Sequence, residues 1–387
     1  MNTIQAASDR QQRSQDNIGE NNLSYWGDII TNKKRKNQIR CVFQNVNGFG
    51  YSDKYSYKAE AIRNFITNNS VDIYAMQELN VDWRRCNKKY TIWERLKGWF
   101  ENSRVTVANN LREKNLSPYQ PGGTGIISQD EMSLRLLDSG KDPRRSGRWT
   151  WQLYRGKNNI RMRVVSVYFA APSNFGERRA YHQQKDALQK SCIADPPEKV
   201  FWRDLWEEVD KWQDNGDQVI LGGDWNTDVR KEQFLEPFIS RGLYPAITGK
   251  HGNQAPNTFN GGTYPIDEIF VPANITISSA GYFPCGSGEG DHRPIWVEID
   301  KDSALGANFP PLPTYTARRL KCQDPRIVER YLKVLHQYFE KHGLYTRLHC
   351  LYRNHSIPLS PQDIKEYEKL DQLRNNGMKL AEKNVGN

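Results

Sequence analysis

The stretch LGGDWNTD, residues 221–228, runs from an apolar strand into two glycines and then into acid and amide side chains. The preceding QVI is β-branched and apolar, so Asp224 and Asn226 stand where a buried strand should leave its sheet. Two interpretations are open. In the first, both residues only build a turn, because their side chains bond to nearby backbone and glycine accepts unusual dihedral angles. In the second, they belong to a site that handles metal and phosphate.

Other apolar strands end on polar side chains in the same way. Asn45 follows CVFQ, Glu78 follows IYAMQ, and Asp267 lies within TYPIDEIFV, while Asp291 and His292 precede RPIWVEI. Asn and Asp are poor strand residues, so their repeated placement at strand ends needs a reason. Each alone could be a capping or turn residue. Together they predict a site where the strand ends meet at one edge of a sheet.

The periodicity of residues 39–300 predicts a mixed α/β domain. Short strand-like runs such as IRCVFQNV and VDIYAMQE alternate with amphipathic patterns such as YKAEAIRNFITNN. In the helical pattern over 198–212, Leu205, Val209 and Trp212 fall on one face together with Trp202. A domain with sheets inside and helices outside is expected from this alternation.

The chain is divided by changes in composition. Residues 1–38 have no sustained periodicity and contain KKRK at 33–36, which predicts a flexible basic arm. The α/β pattern fills 39–300, a Pro-rich connector follows at 301–317, and helical patterns return over 318–387. Those last patterns begin at Asp-Pro and Ser-Pro pairs, which are typical of an N-cap followed by the first helical residue.

Composition indicates a folded protein with an anionic partner. The 387 residues are 37% hydrophobic and carry a net charge of +10, with the basic excess in the two flanks. Six cysteines without a C-x-x-C pair favour reduced thiols. The sequence holds no apolar run near the ~20 residues that span a bilayer, so we predict an intracellular protein. The KKRK run could direct nuclear import or be an ordinary basic surface, and we predict a nuclear location.

Residues 141–163, KDPRRSGRWTWQLYRGKNNIRMR, combine many cations with Trp149, Trp151 and Tyr154. Cations that pair with phosphates and flat rings that stack on bases are what a nucleic-acid groove uses. The alternative is a solvated hairpin whose tryptophans face the core. The sequence favours neither interpretation over the other.

Seven blocks in a fixed order resemble the endonuclease/exonuclease/phosphatase family, which has the DNase I-like fold. They are QNVNGF, YAMQE, GGTGIIS, VVSVYFAAPS, GGDWNT, YPIDEIFV and GDHRP, and the resemblance covers residues 39–300. It implies a four-layer α/β sandwich, here with a short C-terminal helical extension. Asn47 in NVNG and the tail beginning ARRLKCQDPRIVERYL are similar to LINE-type retroelement endonucleases. That similarity implies a DNA substrate and a reverse transcriptase domain further along a longer protein.

The resemblance also implies a metal site. Glu78 would be the main Mg²⁺ ligand, with Asn45 and Asp291 helping to position the ion or its waters, and Mn²⁺ could replace Mg²⁺. The chemistry supports this choice independently, because an attacking water reaches an anionic phosphodiester only if a cation offsets the charge. Hard divalent cations prefer oxygen ligands.

The same resemblance assigns roles around the metal. His292 would act as general base or would hold the scissile phosphate, and Asp267 would orient its imidazole. Asp224 would align the attacking water or assist the leaving oxygen, Asn226 would bind a phosphate oxygen, and Tyr168 would support the developing charge. An imidazole with an ordinary pKa near 6.5 suits proton transfer at neutral pH, and a carboxylate on its other nitrogen fixes the tautomer.

Two positions depart from the family pattern. Gly290 stands where a hydroxyl residue commonly precedes the Asp-His pair, and YFAAPSN replaces Tyr-x-Pro-Asn, so Ser173 or Asn174 could take over the role of that asparagine. Three functions are compatible with the sequence. The first is a metal-dependent DNA endonuclease leaving 3′-OH and 5′-phosphate ends, and the second is a phosphatase or phosphodiesterase acting on inositol or lipid phosphates. The third is a binding module with a decayed site.

Overall fold

Runs of apolar and β-branched residues form the central strands of two sheets. A computed structural model describes residues 24–110, 117–173, 179–306, 324–356 and 358–385. The chain divides into two compact units, Met1–Pro313 and Thr314–Asn387.

The first sheet has seven strands in the order β1-β12-β13-β2-β3-β5-β4. Only the β2–β3 pair in it is parallel. Its strands are β1 (Trp26–Gly27), β2 (Gln38–Asn45), β3 (Ile73–Gln77), β4 (Ser103–Ala108), β5 (Thr124–Gln129), β12 (Ile277–Tyr282) and β13 (Ile295–Asp300).

The second sheet has six strands in the order β10-β11-β9-β8-β7-β6, with β8 and β9 parallel. Its strands are β6 (Leu136–Lys141), β7 (Trp149–Arg155), β8 (Arg161–Tyr168), β9 (Asp217–Asp224), β10 (Leu243–Pro245) and β11 (Asp267–Pro272).

Helices of the first unit lie along the outer faces of the sheets and in the connections. They are α1 (Ser56–Asn68), α2 (Ile92–Trp99), α3 (Asp130–Arg135), α4 (Ala180–Lys190), α5 (Pro197–Asp214), α6 (Glu232–Ile239), α7 (Thr248–His251) and α8 (Lys301–Leu305). Two 3₁₀ turns, Asp53–Tyr55 and Lys88–Tyr90, precede α1 and α2.

Three buried clusters define four layers. Side chains such as Phe43 and Val164 pack between the sheets. The outer face of the first sheet packs against α1 and α2, with Ile62 among the buried residues. The outer face of the second sheet packs against α5 and α6, where Leu205 and Val209 are fully buried. The predicted four-layer α/β sandwich is therefore confirmed, as is the apolar face of α5.

Part of the predicted flexible arm belongs to the first sheet. Residues 1–23 lie outside the described residues, but Trp26 pairs with Tyr282 in β1–β12, and their rings are 5.1 Å apart. Ile30 is buried in the core beneath α1. The prediction of a flexible arm is wrong for residues 24–38, because these two apolar side chains anchor the backbone.

The basic stretch 141–163 is mainly structural. Trp149 and Tyr154 are fully buried on opposite faces of β7, because this strand lies between a helical layer and the other sheet. Arg148 pairs with Asp142 at 2.6 Å, and the Arg163 guanidinium covers the Trp151 ring at 4.0 Å. These rings and guanidinium groups stabilise the fold, so they are not available to a nucleic acid.

The second unit consists of α9 (Pro325–Lys341), α10 (Leu344–Asn354) and α11 (Pro361–Val385). Asp324 caps α9 by accepting a hydrogen bond from the Arg326 backbone N–H, and Pro325 takes the first helical position. Phe339, Leu344 and Leu370 form its small buried core. Both predicted helix starts are found. Of the predicted connector, residues 301–305 form α8, and residues 307–317 lie outside the described residues.

The described residues show two general features. The five cysteines among them are unpaired, and Cys322 lies outside this part of the chain. No described helix is both long and apolar enough to cross a membrane.

Candidate active site

Strand register brings the predicted site residues to one edge of the two sheets. Asp224, the last residue of β9, pairs with Asp267, the first residue of β11, and with Tyr168, the last residue of β8. Asn45 ends β2 in the other sheet and reaches across, donating from Nδ2 to Asp224 Oδ2 at 2.9 Å. The two sheets therefore meet through a hydrogen bond at the site.

Asp224 is both a turn residue and a site residue. Its Oδ1 accepts the Asn226 backbone N–H at 2.9 Å, as in a turn, and its Oδ2 accepts Asn226 Nδ2 at 3.1 Å. Asn226 Nδ2 also donates to the Phe169 carbonyl at 2.8 Å. Because the protein already uses both N–H bonds of this amide, Asn226 orients Asp224, and binding a phosphate oxygen requires it to exchange a partner.

His292 forms a buried unit with Asp267 and Thr258. The His292 Nδ1 lies 2.9 Å from Asp267 Oδ2, and the Thr258 hydroxyl donates to that same oxygen at 2.5 Å. On the other side of the ring, His292 Nε2 lies 4.0 Å from Asp224 Oδ2. One imidazole therefore stands between two buried carboxylates.

The electrostatics of this unit decide which groups carry protons. Burial, helped by the negative charges of Asp267 and Glu78, raises the pKa of Asp224 to about 7 against the opposing charge of His292. Burial lowers the pKa of His292, but the charges of Asp267 and Asp224 outweigh it and raise that pKa to about 10. At neutral pH, His292 is an imidazolium and Asp224 is the group poised to exchange a proton.

Glu78 directly follows β3 and has φ 51°, a left-handed conformation that is uncommon for glutamate. The Tyr168 hydroxyl bonds to its carboxylate, and Asn80 Nδ2 lies 3.4 Å from Glu78 Oε2. Asn80 also accepts the Gly122 N–H at 2.8 Å, which ties the loop after β3 to the loop before β5. These contacts hold a strained backbone in place, as is common at functional sites.

Asp291 lies on the loop before β13, next to His292. Asn47 Nδ2 donates to Asp291 Oδ2 at 3.3 Å, and the Asn47 backbone N–H donates to Asn45 Oδ1 at 3.0 Å. Gly290 has φ 102°, and a Cβ there would lie 2.6 Å from the Asn45 carbonyl oxygen. This close approach explains why glycine replaces the hydroxyl residue that the family pattern led us to expect.

The donor set of this edge fits a hard divalent cation. Glu78 and Asp291 offer carboxylate oxygens, and Asn45 Oδ1 accepts one hydrogen bond and keeps a second lone pair. A second possible metal site uses one ligand atom from each of Asp224, Asp267 and His292. These three atoms lie within 4.8 Å of one another. The positive charge of His292 opposes a cation there, so the oxygen set around Glu78 is the better candidate.

All the proposed site residues lie at this edge, but sequence reasoning missed the residues that support them. Thr258 and Asn80 come from loops without a strand signal, and Gln44 Nε2 donates to the His292 carbonyl at 3.1 Å. Asn80 was the only one of these residues with a sequence signal, because it lies two residues after Glu78. Ser173 is described, but Asn174 lies outside the described residues.

A model of the Endonuclease/Exonuclease/phosphatase family matches residues 42–292. The match spans more than half of the chain, so the protein belongs to this family of phosphoester hydrolases, whose nucleases typically use a divalent metal ion. No curated protein matches the chain.

Solved structures of several family proteins are similar to this chain at low identity. The AP endonuclease LMAP from Leishmania major is 13% identical over 72% of this chain and 93% of its own, with a TM-score of 0.52. The 3′ phosphatase NExo from Neisseria, solved with a product DNA hairpin, is 16% identical over 68% of this chain and 99% of its own, with a TM-score of 0.47. The first likeness establishes the shared fold.

Proposed function

We propose that this protein is a Mg²⁺-dependent endonuclease that hydrolyses DNA phosphodiester bonds and leaves 3′-OH and 5′-phosphate ends. The observation that carries the proposal is the position of the buried His292 imidazole, which lies between Asp267 and Asp224 at the same edge as Glu78. A buried cation beside a proton-accepting carboxylate is suited to a substrate that is anionic and must be attacked by water.

Each site residue has its own role in the proposed reaction. A bound Mg²⁺ would be held by Glu78, Asn45 and Asp291, and it would offset the negative charge of the phosphate. The His292 Nε2–H donates to a phosphate oxygen, while Asp267 holds the ring from the other side. Asp224, with its pKa near 7, accepts the proton of the attacking water.

Tyr168 completes the site as a neutral hydrogen-bond donor. Burial and the charges of Glu78 and Asp224 raise the pKa of Tyr168 well above its usual value, so its hydroxyl keeps its proton. This hydroxyl orients Glu78 and can turn to a phosphate oxygen as charge develops there.

A cavity on the first unit, with cations and one exposed ring among its lining residues, supports DNA over a small phosphate ester as the substrate. Lys141 and Arg145, from the basic stretch, line this cavity of about 440 Å³ with Trp83 and Trp93, and Trp93 is 43% exposed. Such a surface suits a nucleic-acid strand. A retroelement origin and a nuclear location are further parts of the proposal, supported by Asn47 in NVNG and by the three exposed cations of KKRK, Lys33, Arg35 and Lys36.

The substrate class is tested with two substrates side by side. Supercoiled plasmid and an inositol polyphosphate are each incubated with the full chain and Mg²⁺. We expect nicked plasmid without phosphate release from the inositol polyphosphate. Phosphate release without nicking would assign the site to the second function class.

Replacing Glu78 by Gln should lower nicking by about tenfold to a hundredfold, the usual cost of disturbing a metal site. The change keeps the shape of the side chain and the Tyr168 contact but removes the charge that binds the cation. Nicking is measured over a series of Mg²⁺ concentrations, and the variant should need more Mg²⁺. Glu60→Gln, on the exposed face of α1, is the control and should match the parent. Equal Mg²⁺ curves for parent and Glu78→Gln would contradict the assignment.

The nicking rate should rise with pH through about 7 and fall near 10. Asp224 has to lose its proton before it can accept one, whereas His292 has to keep its proton to bind phosphate, and these pKa values are about 7 and about 10. A bound cation lowers the pKa of a neighbouring carboxyl group. The rise in nicking rate on the acidic side of the pH profile should therefore have its midpoint at or below pH 7. For Asp224→Asn, the residual nicking rate should no longer increase with pH in this acidic range. A rate that climbs steadily through pH 10 would instead identify His292 as the base.

A further inference from the structure

A small cavity beside the candidate metal ligands is lined in part by four aromatic residues. Its volume is about 180 Å³, and we call it the tyrosine cavity; the lining side chains used below are Asn47, Phe49, Tyr51, Tyr55, Asn80 and Tyr119. None of its aromatic residues has a role in the chemistry proposed above.

Two of the lining residues fix the position of the tyrosine cavity relative to the site. Asn47 donates to Asp291 at 3.3 Å, and Asn80 lies 3.4 Å from Glu78. The cavity therefore begins one side chain away from two proposed metal ligands. A group attached to the scissile phosphate would reach it directly.

The walls contain several aromatic rings and few charged groups. The Tyr51 and Tyr55 rings lie 5.6 Å apart and are tilted by 49°, and both are half-buried. Among the described lining residues, Lys58 is the only cation, and it is engaged by Glu289 at 3.2 Å and by the Asn47 carbonyl at 2.9 Å. A second phosphate finds little to pair with here, whereas the flat face of a base can stack on a tyrosine.

The backbone holds Tyr55 in place. The Tyr55 backbone N–H donates to the Ser52 carbonyl at 3.1 Å in a 3₁₀ turn. A Cβ at Gly50 would lie 1.8 Å from the Tyr55 carbonyl oxygen, so only glycine allows this close approach. The ring is thus presented at the cavity by a turn of fixed geometry, which reduces the entropy cost of stacking.

We propose that the tyrosine cavity binds the base of a nucleotide next to the scissile phosphate, by stacking on Tyr55 and Tyr51. This inference rests on the proposed DNA endonuclease function and adds a base subsite to it. The subsite makes the enzyme select a nucleic-acid strand over a phosphodiester that carries no base.

The test uses one oligonucleotide with a mapped cut and a set of copies in which each nearby nucleotide in turn lacks its base. For the parent, loss of one base beside the cut should slow cleavage about tenfold to a hundredfold, as expected for one stacked base. Tyr55→Ala should slow cleavage of the intact strand by a similar factor and should not slow the base-less strand further. Tyr55→Phe should keep the parent rates, because the ring remains.

Tyr57→Ala is the control, since Tyr57 lies two residues away, is 58% exposed and does not line the cavity. It should match the parent on every strand. If the parent cuts DNA but Tyr55→Ala cuts intact DNA at the parent rate, or slows intact and base-less strands equally, the base subsite is refuted and the endonuclease stands. If the parent cuts no strand, both proposals fail.

Discussion

His292→Ala should slow plasmid nicking by ~10² to 10⁴, the range that a positioned acid or base contributes. In the proposed mechanism its imidazolium binds the phosphate, and Asp267 and Thr258 hold its Nδ1 side. Asp267→Ala should cause a loss of similar order, because the ring is then neither oriented nor kept protonated. The double variant should be little worse than His292→Ala, since a positioning residue has no role once its partner is gone.

The control is another histidine that contacts an aspartate. His251 Nε2 lies 3.3 Å from Asp28 Oδ2, in a part of the first unit that contributes nothing to the site. His251→Ala should nick at the parent rate once it is corrected for folded protein, measured by circular dichroism. Losses that multiply in a folded Asp267→Ala, His292→Ala double variant would contradict the pairing.

Asp224→Asn should lower nicking by ~10² or more while most of the protein stays folded. The amide cannot accept a proton from water. The substitution changes the stability of the protein through two opposite contributions. One of the three N–H groups that face Asp224 loses its acceptor, at about 1–3 kcal/mol, but a buried charge is also removed. We therefore expect only a small change in melting temperature, and activity per folded molecule is the quantity to compare.

Asp228, four residues later, provides the internal control. It accepts the Arg230 backbone N–H at 3.2 Å and pairs with the Arg230 guanidinium at 2.8 Å, near the surface. Asp228→Asn keeps the turn and loses an ion pair that contributes at most about 1 kcal/mol. Its nicking rate should stay within a few fold of the parent. If Asp224→Asn matches Asp228→Asn in activity, the turn interpretation of LGGDWNTD is sufficient.

The sequence predicted which polar side chains come together at the sheet edge, because each of them lies at the end of an apolar strand. The four candidates Asn45, Asp224, Asp267 and His292 stand out in the sequence because Asn, Asp and other polar side chains are unfavourable next to an apolar strand unless they have a role there. Their mutual placement could not be read from the sequence, because it depends on register: Asp267 meets Asp224 only through the β9–β11 pairing. Thr258 was missed for the same reason, since its loop is tied to the site by tertiary contacts alone.

The aromatic residues of the basic stretch show a second limit. A pattern such as WTWQLY gives the alternation of a strand but not what covers each face. Trp149 and Tyr154 are both fully buried because β7 is covered on both sides, which depends on α5 and on the first sheet. Trp93, whose sequence context gave no nucleic-acid signal, is 43% exposed instead. Which cations remain free likewise depends on buried acids such as Asp217, which pairs with Arg163.

The most direct test of the account is the initial rate at which supercoiled plasmid is nicked in Mg²⁺ by equal amounts of folded parent and His292→Ala protein. DNA ligase is then added to the products, because it seals only nicks with 3′-OH and 5′-phosphate ends. The account predicts rapid nicking by the parent, at least a hundredfold slower nicking by the variant, and nicks that ligase closes. Equal rates for the two proteins, or parent nicks that ligase cannot close, would contradict it.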